Sequence, residues 1–367
     1  VVTVEKDFDI LKHVEAGDFV ISMRSFQGGL EYSTNSGAIS SAYVMLVPNL
    51  ELVYPRFYRW LLKSSVYIDA LQRTTNMVRD GQAMRYSNFA QVRLFTLPLD
   101  EQKSRADFLD LECSSIDKIL FKTRSSIEEY KKLKQAVITQ AVTKGVRGER
   151  EMKDSGVEWI GEIPKKWNRC KLNSICTFIN GDRSKNYPSS EDFQDIGIPF
   201  IGADSLNGFF VDTYSARHIS PAKYASMGGL KITQGDILYT LRGSTIGKNA
   251  IANFNDGTIA SSLVGIRVKS PFLASSSFLF YWLNSLNEFV QRDLCINGST
   301  APNLSAENVA QFFIYIPDIT EQHEIADYLD AKCAEIDKLI AKKEQLVKEL
   351  DSYKKSLIYE VVTGKRE

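Results

Sequence analysis

Residues 321–365 read EQHEIADYLDAKCAEIDKLIAKKEQLVKELDSYKKSLIYEVVTGK, and residues 101–145 read EQKSRADFLDLECSSIDKILFKTRSSIEEYKKLKQAVITQAVTKG. Aligned without a gap at a constant shift of 220 residues, positions 101–143 and 321–363 share sixteen identities. Neither stretch has an interior proline or glycine, and a glycine stands at the end of both, which is typical of a helix end. The sequence therefore predicts one long helix that occurs twice.

Apolar residues at alternating spacings of three and four predict a narrow apolar stripe on each helix. A lone helix with such a stripe needs a partner, and the other copy gives an antiparallel coiled coil if the intervening chain folds back. The predicted pairing residues are Ile116, Ile119, Tyr130, Leu133 and Val137 in the first helix, and Ile336, Leu339, Leu346, Leu350, Tyr353 and Leu357 in the second.

The segments that precede the two helices also correspond. EAGDFVISMR (15–24) is similar to TQGDILYTLR (233–242), and FYRWLL (57–62) is similar to LFYWLN (279–284). Such pieces indicate short strands with glycine turns and one amphipathic helix. The expected fold class is thus α+β, with two mixed α/β domains that alternate with two long α-helices.

The expected boundaries are a first domain at 1–100, the first long helix and a linker at 101–150, a second domain at 151–320, and the second long helix at 321–367. The second domain has an additional segment upstream of TQGDIL that has no counterpart in the first. We therefore expect the first domain to lack its opening strands.

Composition limits the possible partners and compartment. Lys plus Arg and Asp plus Glu both number 45, so no bulk basic field indicates nucleic acid, and DNA binding would depend on local patches or on a partner. The five cysteines show neither disulfide nor metal-ligand spacing. With no apolar run long enough for a bilayer and no leader pattern, the expectation is a cytoplasmic protein without a membrane partner.

The ordered set of features resembles one family. The helix pattern EQ…IA…LD…IDKLI…VTGK after a variable α/β domain, together with SGVEWIGEIPKKW (155–167), is similar to the DNA specificity subunit of type I restriction-modification systems. The resemblance covers essentially the whole chain. It implies two target-recognition domains, each of which reads one half of a bipartite double-stranded DNA sequence, and two conserved helices that set the spacer between the halves.

The resemblance also implies partners. The conserved helices would dock two modification subunits, which bind S-adenosylmethionine and methylate adenine, while the presence of restriction subunits stays open. No cofactor and no metal are expected on this chain. The sequence agrees, since it contains no two adjacent prolines, no GxGxxG, no P-loop, no GxSxG and no HExxH. We therefore expect no catalytic residue, and the chemistry would belong to the partners.

Candidate DNA-contacting residues are Arg, Lys, Asn, Gln, Ser and Thr, which reach base edges and phosphates, in loops with turn glycines. In the second domain they are Arg183, Lys185 and Asn186 in one loop, Arg242, Ser244, Lys248 and Asn249 in another, and Ser299 and Thr300 in a third; in the first domain they are Arg24, Gln27, Arg79, Gln82 and Arg85. Arg24 and Arg242 hold equivalent positions, so a shared structural or phosphate role is as open as sequence reading. An ordinary solvated loop is the alternative for each.

Two other functions stay open from the residues alone. One is a coiled-coil scaffold whose α/β domains bind proteins, which a neutral chain also fits, and the other is an enzyme of unrecognised type. Strong salt dependence of duplex binding would favour DNA. If the first domain does not fold, the chain would read one half-site only.

Overall fold

The computed structural model of the 367-residue chain describes residues 11–22, 30–74, 86–296 and 303–366. It forms two compact units, one of residues 1–127 with 341–367 and one of residues 128–340. Each of the two long helices is divided between the units, with one part in the first and the other part in the second. Within the described residues, no helix is long and apolar enough to span a bilayer.

The first unit begins with small antiparallel sheets. Strand β2 (Phe19–Ser22) is the centre of a three-stranded sheet, and the other elements follow in chain order around it. They are β1 (Lys12–Val14), β3 (Glu31–Tyr32), β4 (Gly37–Ile39), β5 (Tyr43–Leu46), α1 (Pro55–Leu61), α2 (Ser65–Thr74), α3 (Tyr86–Phe89) and the first long helix α4 (Leu99–Lys144). The core lies where the apolar side of β2 packs on α1, α2 and α4 and includes Ile21, Phe57, Leu71 and Leu109, each at 0 % exposure.

The second unit is a larger α/β domain with two four-stranded sheets, ordered β14-β13-β16-β9 and β10-β12-β11-β15. Its strands are β6 (Met152–Asp154), β7 (Glu162–Pro164), β8 (Asn168–Lys171), β9 (Cys176–Asn180), β10 (Phe193–Gln194), β11 (Ile198–Ile201), β12 (Arg217–Ile219), β13 (Ile237–Thr240), β14 (Asn249–Ile251), β15 (Thr258–Ile259), β16 (Leu263–Val268) and β17 (Phe313–Ile316). Its helices are α5 (Leu172–Ile175), α6 (Pro221–Ser226), α7 (Ser276–Leu283), α8 (Leu286–Cys295), α9 (Ala306–Gln311) and the second long helix α10 (Ile319–Val362). The expected α+β class with two long helices is confirmed.

The same glycine-aspartate turn opens β2 and β13. Gly17 and Gly235 have φ of 105° and 94°, a conformation that suits glycine. In each turn the aspartate that follows, Asp18 or Asp236, accepts the backbone N–H three residues before it at 2.9 Å. The sequence repeat is therefore a structural repeat with the same hydrogen bond in both copies.

A buried glutamine fixes the start of each long helix. Gln322 is 0 % exposed; its amide donates to the carbonyl of Pro317 at 3.0 Å and of Leu273 at 3.2 Å, and its oxygen accepts the N–H of Ser275 at 2.9 Å. These partners lie just after β17 and just before α7. One side chain thus ties α10 to both neighbouring segments of its own domain.

Gln102 repeats this arrangement in the first unit. It is also 0 % exposed, donates to the carbonyls of Leu97 at 2.7 Å and Leu52 at 2.9 Å, and accepts the N–H of Tyr54 at 2.7 Å. The glutamine of the repeated EQ pair therefore has the same structural role in both units, which is to anchor the start of the long helix. A buried amide with all three bonds made is stable, whereas loss of the amide would leave two carbonyls and one N–H without partners.

The two long helices pair in antiparallel orientation within each unit. In the first unit Lys354 binds Asp117 at 2.6 Å, and in the second Lys134 binds Asp337 at 2.6 Å. Lys354 and Asp337 each lie 220 positions after Lys134 and Asp117, the shift of the sequence repeat. One contact therefore occurs twice, once in each unit, with the roles of the two helices exchanged.

The buried seam between the helices differs in phase from the predicted one. Ile116, Ile336 and Leu357 are buried, and Tyr130, Val137 and Leu350 are half-buried. The prediction is wrong for the intervening positions Ile119, Leu133, Leu339, Leu346 and Tyr353, which are 36–48 % exposed. Their places in the seam are taken by the next residue along the chain, such as Leu120 in α4 and Ile340 and Val347 in α10.

The physical reason is an ambiguity in the heptad pattern. From each correct position the next seam residue can lie three or four residues on, and the sequence offers apolar side chains at both, such as Ile119 and Leu120. Only packing against the other helix chooses between them. The helices also begin two residues earlier than expected, at Leu99 and Ile319, and end at Lys144 and Val362.

The neighbouring residues Leu120 and Ile119 give a matched test of the seam. Leu120 is 4 % exposed and Ile119 is 47 % exposed, so Leu120→Ala should lower the free energy of unfolding by about 3 kcal/mol, and Ile119→Ala by less than about 1 kcal/mol. Urea denaturation followed by circular dichroism would measure both. Equal losses for the two variants would contradict the assigned phase.

The glutamine anchor has its own test. Gln322→Leu should lower the free energy of unfolding by about 3 kcal/mol, because three buried backbone groups lose their partner. Gln345 is the control, since it lies on the same helix and its exposed amide donates to the Glu349 side chain at 2.9 Å. Gln345→Leu should change the denaturation midpoint little, and a Gln322→Leu variant as stable as the wild type would refute the anchor.

Candidate nucleic-acid interface

Three loops of the second unit meet at one edge of the β14-β13-β16-β9 sheet. Asn180 at the end of β9 pairs with Val264 at the start of β16, and Val264 pairs with Tyr239 near the end of β13. Tyr239 in turn pairs with Asn249, the first residue of β14. The segments 181–187, 241–248 and 260–262 therefore lie side by side, and together with Asn303 and Leu304 they are called the loop edge below.

Backbone hydrogen bonds hold the loop edge together. The N–H of Leu241 donates to Ser262 at 2.8 Å, and the N–H of Leu304 donates to Leu241 at 2.9 Å. Arg242 forms a backbone bridge with Asn303, so the segment after 302 is fixed against the 241–248 loop. Loops of distant sequence position thus form one surface.

Two exposed arginines lie on this surface. The Arg183 guanidinium donates to the carbonyl of Ser261 at 3.3 Å, while Arg242 extends from the end of β13 with an exposed side chain. Lys185 and Ser244 are exposed beside them. The loop edge therefore brings together cationic and hydroxyl groups of the kind that contact phosphates and base edges.

Other candidate residues of these loops point into the protein. Asn249 is 4 % exposed and donates to the carbonyl of Gly247 at 2.9 Å. The Lys248 ammonium donates to the carbonyl of Ala203 at 3.0 Å and to the Asn207 side chain at 2.7 Å. Both residues shape the base of the 241–248 loop, so the structure separates them from the outward-facing arginine.

Asn186 has a similar internal role. Its side-chain amide donates to the carbonyl of Ser226 at 2.8 Å, which joins the 181–187 loop to the end of α6. Sequence patterns alone cannot tell such loop-bracing amides from ligand-contacting ones, because both favour Asn beside turns.

Asp182, which the sequence analysis did not single out, organises the 181–187 loop. It is 4 % exposed and accepts the N–H of Ser184 at 2.7 Å and of Gly228 at 2.8 Å. Burial acts to raise the pKa of Asp182, but these hydrogen bonds outweigh it and hold the pKa below its ordinary value. Next to it, a Cβ on Gly181 would come within 2.5 Å of the Ala260 carbonyl, so the close approach of the two loops needs glycine.

The remaining candidates lie outside the described residues. They are Arg24, Gln27, Arg79, Gln82 and Arg85 of the first domain and Ser299 and Thr300 of the second. In the part of the chain that the structure does describe, no group of three His, Cys, Asp or Glu side chains could hold a metal ion.

Comparisons with known proteins identify the family. The model of the type I restriction modification DNA specificity domain matches residues 164–349, which is more than half of the chain. The specificity subunit of the type I restriction enzyme MjaVIII from Methanocaldococcus jannaschii is 24 % identical over 96 % of this chain and 80 % of its own length. The specificity subunit of the EcoBI enzyme from Escherichia coli is 28 % identical over 71 % of this chain and 55 % of its own length.

Solved structures agree on the fold. A chain from a structure that addresses complex assembly and conformational transition of the type I R-M system superposes with a TM-score of 0.70 at 17 % identity, covering 96 % of this chain and 83 % of that one. The HsdS subunit from Thermoanaerobacter tengcongensis gives a TM-score of 0.53 at 17 % identity, covering 96 % and 82 %. The resemblance seen in the sequence is thereby confirmed: this chain belongs to the DNA specificity subunits of type I restriction-modification systems.

Proposed function

We propose that this chain recognises a bipartite double-stranded DNA target, and that the loop edge of its second domain reads one half of that target. The observation that carries the proposal is the pair of exposed arginines, Arg183 and Arg242, on one surface of braced loops. An arginine held in this way can donate two hydrogen bonds to a guanine or bind a phosphate. The first domain, with its candidates 24, 27, 79, 82 and 85, would read the other half.

The balanced charge of the chain suits a reader that works inside a larger complex. With 45 basic and 45 acidic side chains, the subunit has little bulk attraction for DNA. Modification subunits that clamp the duplex would supply affinity and the adenine methylation, and restriction subunits would supply cleavage where a system has them. The specificity subunit would then contribute discrimination, with each good base contact worth roughly 1–3 kcal/mol.

An exposed apolar row on the long helices supports docking of two modification subunits. Ile119 and Leu339 are 47 % and 36 % exposed, and Leu133 and Tyr353 are 48 % and 45 % exposed. Each pair holds equivalent positions of the repeat, 220 residues apart. Exposed side chains with large apolar surface at equivalent positions of the repeat fit two copies of one partner.

The first experiment is to co-express the chain with its modification subunit and map methylated adenines in host DNA. A motif with two defined halves and a fixed gap is the expected result. A motif with one defined half would show that the first domain does not read DNA. A complex that forms but leaves no methylation motif would contradict the recognition role and favour the scaffold.

Arginine variants of the assembled complex test the loop edge. Arg242→Ala and Arg183→Ala should each weaken binding of the target duplex. If the arginine contacts a base, discrimination against a changed base pair falls by about 1–3 kcal/mol; if it contacts a phosphate, affinity falls for all sequences and the salt slope decreases by about one. Fluorescence anisotropy at several salt concentrations would separate these two modes.

Lys269→Ala is the matched control, because this exposed lysine lies beyond the end of β16 at the opposite edge of the same sheet. Its side chain donates to the carbonyl of Asn173 at 2.6 Å. The control should bind target DNA as the wild type does. Binding that is unchanged in both arginine variants would refute the loop edge as the reading surface.

Glutamate substitutions test the docking row. Ile119→Glu and Leu339→Glu should each reduce co-purification of the modification subunit at least several-fold, because a charge replaces apolar contact area. Neither should lower the melting temperature of the isolated chain much, since both side chains are exposed. Ser114→Glu is the control, because Ser114 is exposed on a different face of α4 from Ile119; a full complement of modification subunits in all three variants would refute the row.

A further inference from the structure

Three connected polar side chains, two of them buried and one half-buried, lie under the 241–248 loop. Tyr239 of β13 is 0 % exposed, and its hydroxyl donates to the carboxylate of Glu288 on α8, which is 2 % exposed. Arg292, one turn further along α8, donates its Nε to both oxygens of Glu288 at 2.9 and 3.3 Å. The three form one connected network between the sheet and the helix.

Arg292 also reaches the loop itself. Its Nη1 donates to the carbonyl of Ile246 at 3.2 Å. Gly247, with φ of 88°, packs so closely that a Cβ there would come within 2.7 Å of the Arg292 Nε. The base of the 241–248 loop therefore rests on a guanidinium whose orientation is fixed by Glu288.

The network is costly to bury. Burial raises the pKa of Glu288 to about 7, although Arg292 and Tyr239 act to lower it. Removal of charged groups from water commonly offsets the attraction between them, and replacement of such a set by apolar side chains is often neutral or stabilising. Stability alone is thus a weak reason for these three residues.

The first unit has the matching strand and helix without them. Ile21 stands three residues after its turn aspartate, as Tyr239 does, and Tyr67 and Leu71 are the third and seventh residues of α2, as Glu288 and Arg292 are of α8. Ile21, Tyr67 and Leu71 are 0 %, 3 % and 0 % exposed and belong to one apolar core. Where the second unit has an ionic network, the first has hydrophobic packing.

The alignment of the two helices shifts the sequence match of 57–62 with 279–284 by one residue, and it has independent support. A buried serine precedes each of them, and its hydroxyl donates to the carbonyl three residues earlier: Ser64 to Leu61 at 2.6 Å, and Ser285 to Trp282 at 2.7 Å. The same local hydrogen bond therefore marks the residue from which equivalent positions of α2 and α8 are counted. The substitution of polar for apolar residues occurs at matching places in the fold.

We propose that Tyr239, Glu288 and Arg292 are positioning residues that hold the 241–248 loop, and with it Arg242, in the conformation that reads the second half-site. The proposal rests on the proposed function of the loop edge and adds residues that do not contact DNA. Its physical basis is preorganisation: a loop fixed before binding loses less conformational entropy and discriminates better between base pairs.

The decisive variant exchanges the network for its counterpart in the first unit, Tyr239→Ile, Glu288→Tyr and Arg292→Leu, in the complex with the modification subunit. Methylation mapping should show a relaxed second half-site, with at least a ten-fold loss of preference at one or more positions. The first half-site should keep its preference and serves as the internal control. A stable complex with both halves unchanged would overturn the proposal.

A milder pair of substitutions covers the case in which the triple variant does not fold. Glu288→Gln with Arg292→Met removes both charges at nearly constant volume. The amide that replaces the carboxylate can still bind the Tyr239 hydroxyl, but the thioether that replaces the guanidinium cannot donate to Ile246. The pair should therefore relax the second half-site as the triple variant does. Glu288→Gln alone keeps Arg292 and its bond to the loop, so it should relax the second half-site less than the pair does; a folded pair variant that retains the wild-type motif would overturn the proposal.

Failure of this inference can be told from failure of the proposed function. If the wild-type complex methylates no defined motif, the recognition role itself fails. If the wild type has a defined bipartite motif, Arg242→Ala relaxes its second half, and the folded network variants do not, then the loop reads DNA without help from the network. Melting temperatures of all variants show which ones are folded.

Discussion

A single buried amide at the start of each long helix is the contact on which the architecture depends. Gln102 and Gln322 each bind three backbone groups from two other segments of their own domain, with no exposure to water. Because an unpaired buried backbone group costs as much as several surface contacts gain, the helix cannot tilt or slide without losing all three bonds. One residue therefore fixes the orientation of each long helix relative to the domain that precedes it.

The consequences of this anchor extend along the helices. Inside each unit the helices pair through a heptad seam and through one Lys–Asp pair that occurs twice with the helices exchanged. Repetition also places apolar side chains such as Ile119 and Leu339 at equivalent exposed positions. A specificity subunit built from one repeated unit can thus offer the same surface twice, which suits the two modification subunits that we propose as partners.

The two domains use the repeated scaffold differently. The structural hydrogen bonds, such as those of Asp18 and Asp236, are the same in both copies. At the matching positions of the turn strand and the helix after it, however, one copy has Ile21, Tyr67 and Leu71 in an apolar core, and the other has a buried carboxylate and a half-buried guanidinium. Because the first unit packs apolar side chains at these positions, the ionic network of the second unit is not needed for packing. Selection for a particular half-site can therefore act on these residues, which lie under the loop edge.

The sequence by itself determined the duplication, the two long helices, the α+β class and the family, because periodicity and repeated motifs are local properties that a single chain displays. It also located the loops that carry Arg183 and Arg242. It did not determine which of Ile119 and Leu120 faces the other helix, nor that Lys248 and Asn249 turn inward while Arg242 points outward. Those choices, and the meeting of Tyr239 with Glu288, depend on residues far apart in the chain. Only tertiary packing decides them, because neighbouring positions with similar side chains differ in energy only when a partner surface is present.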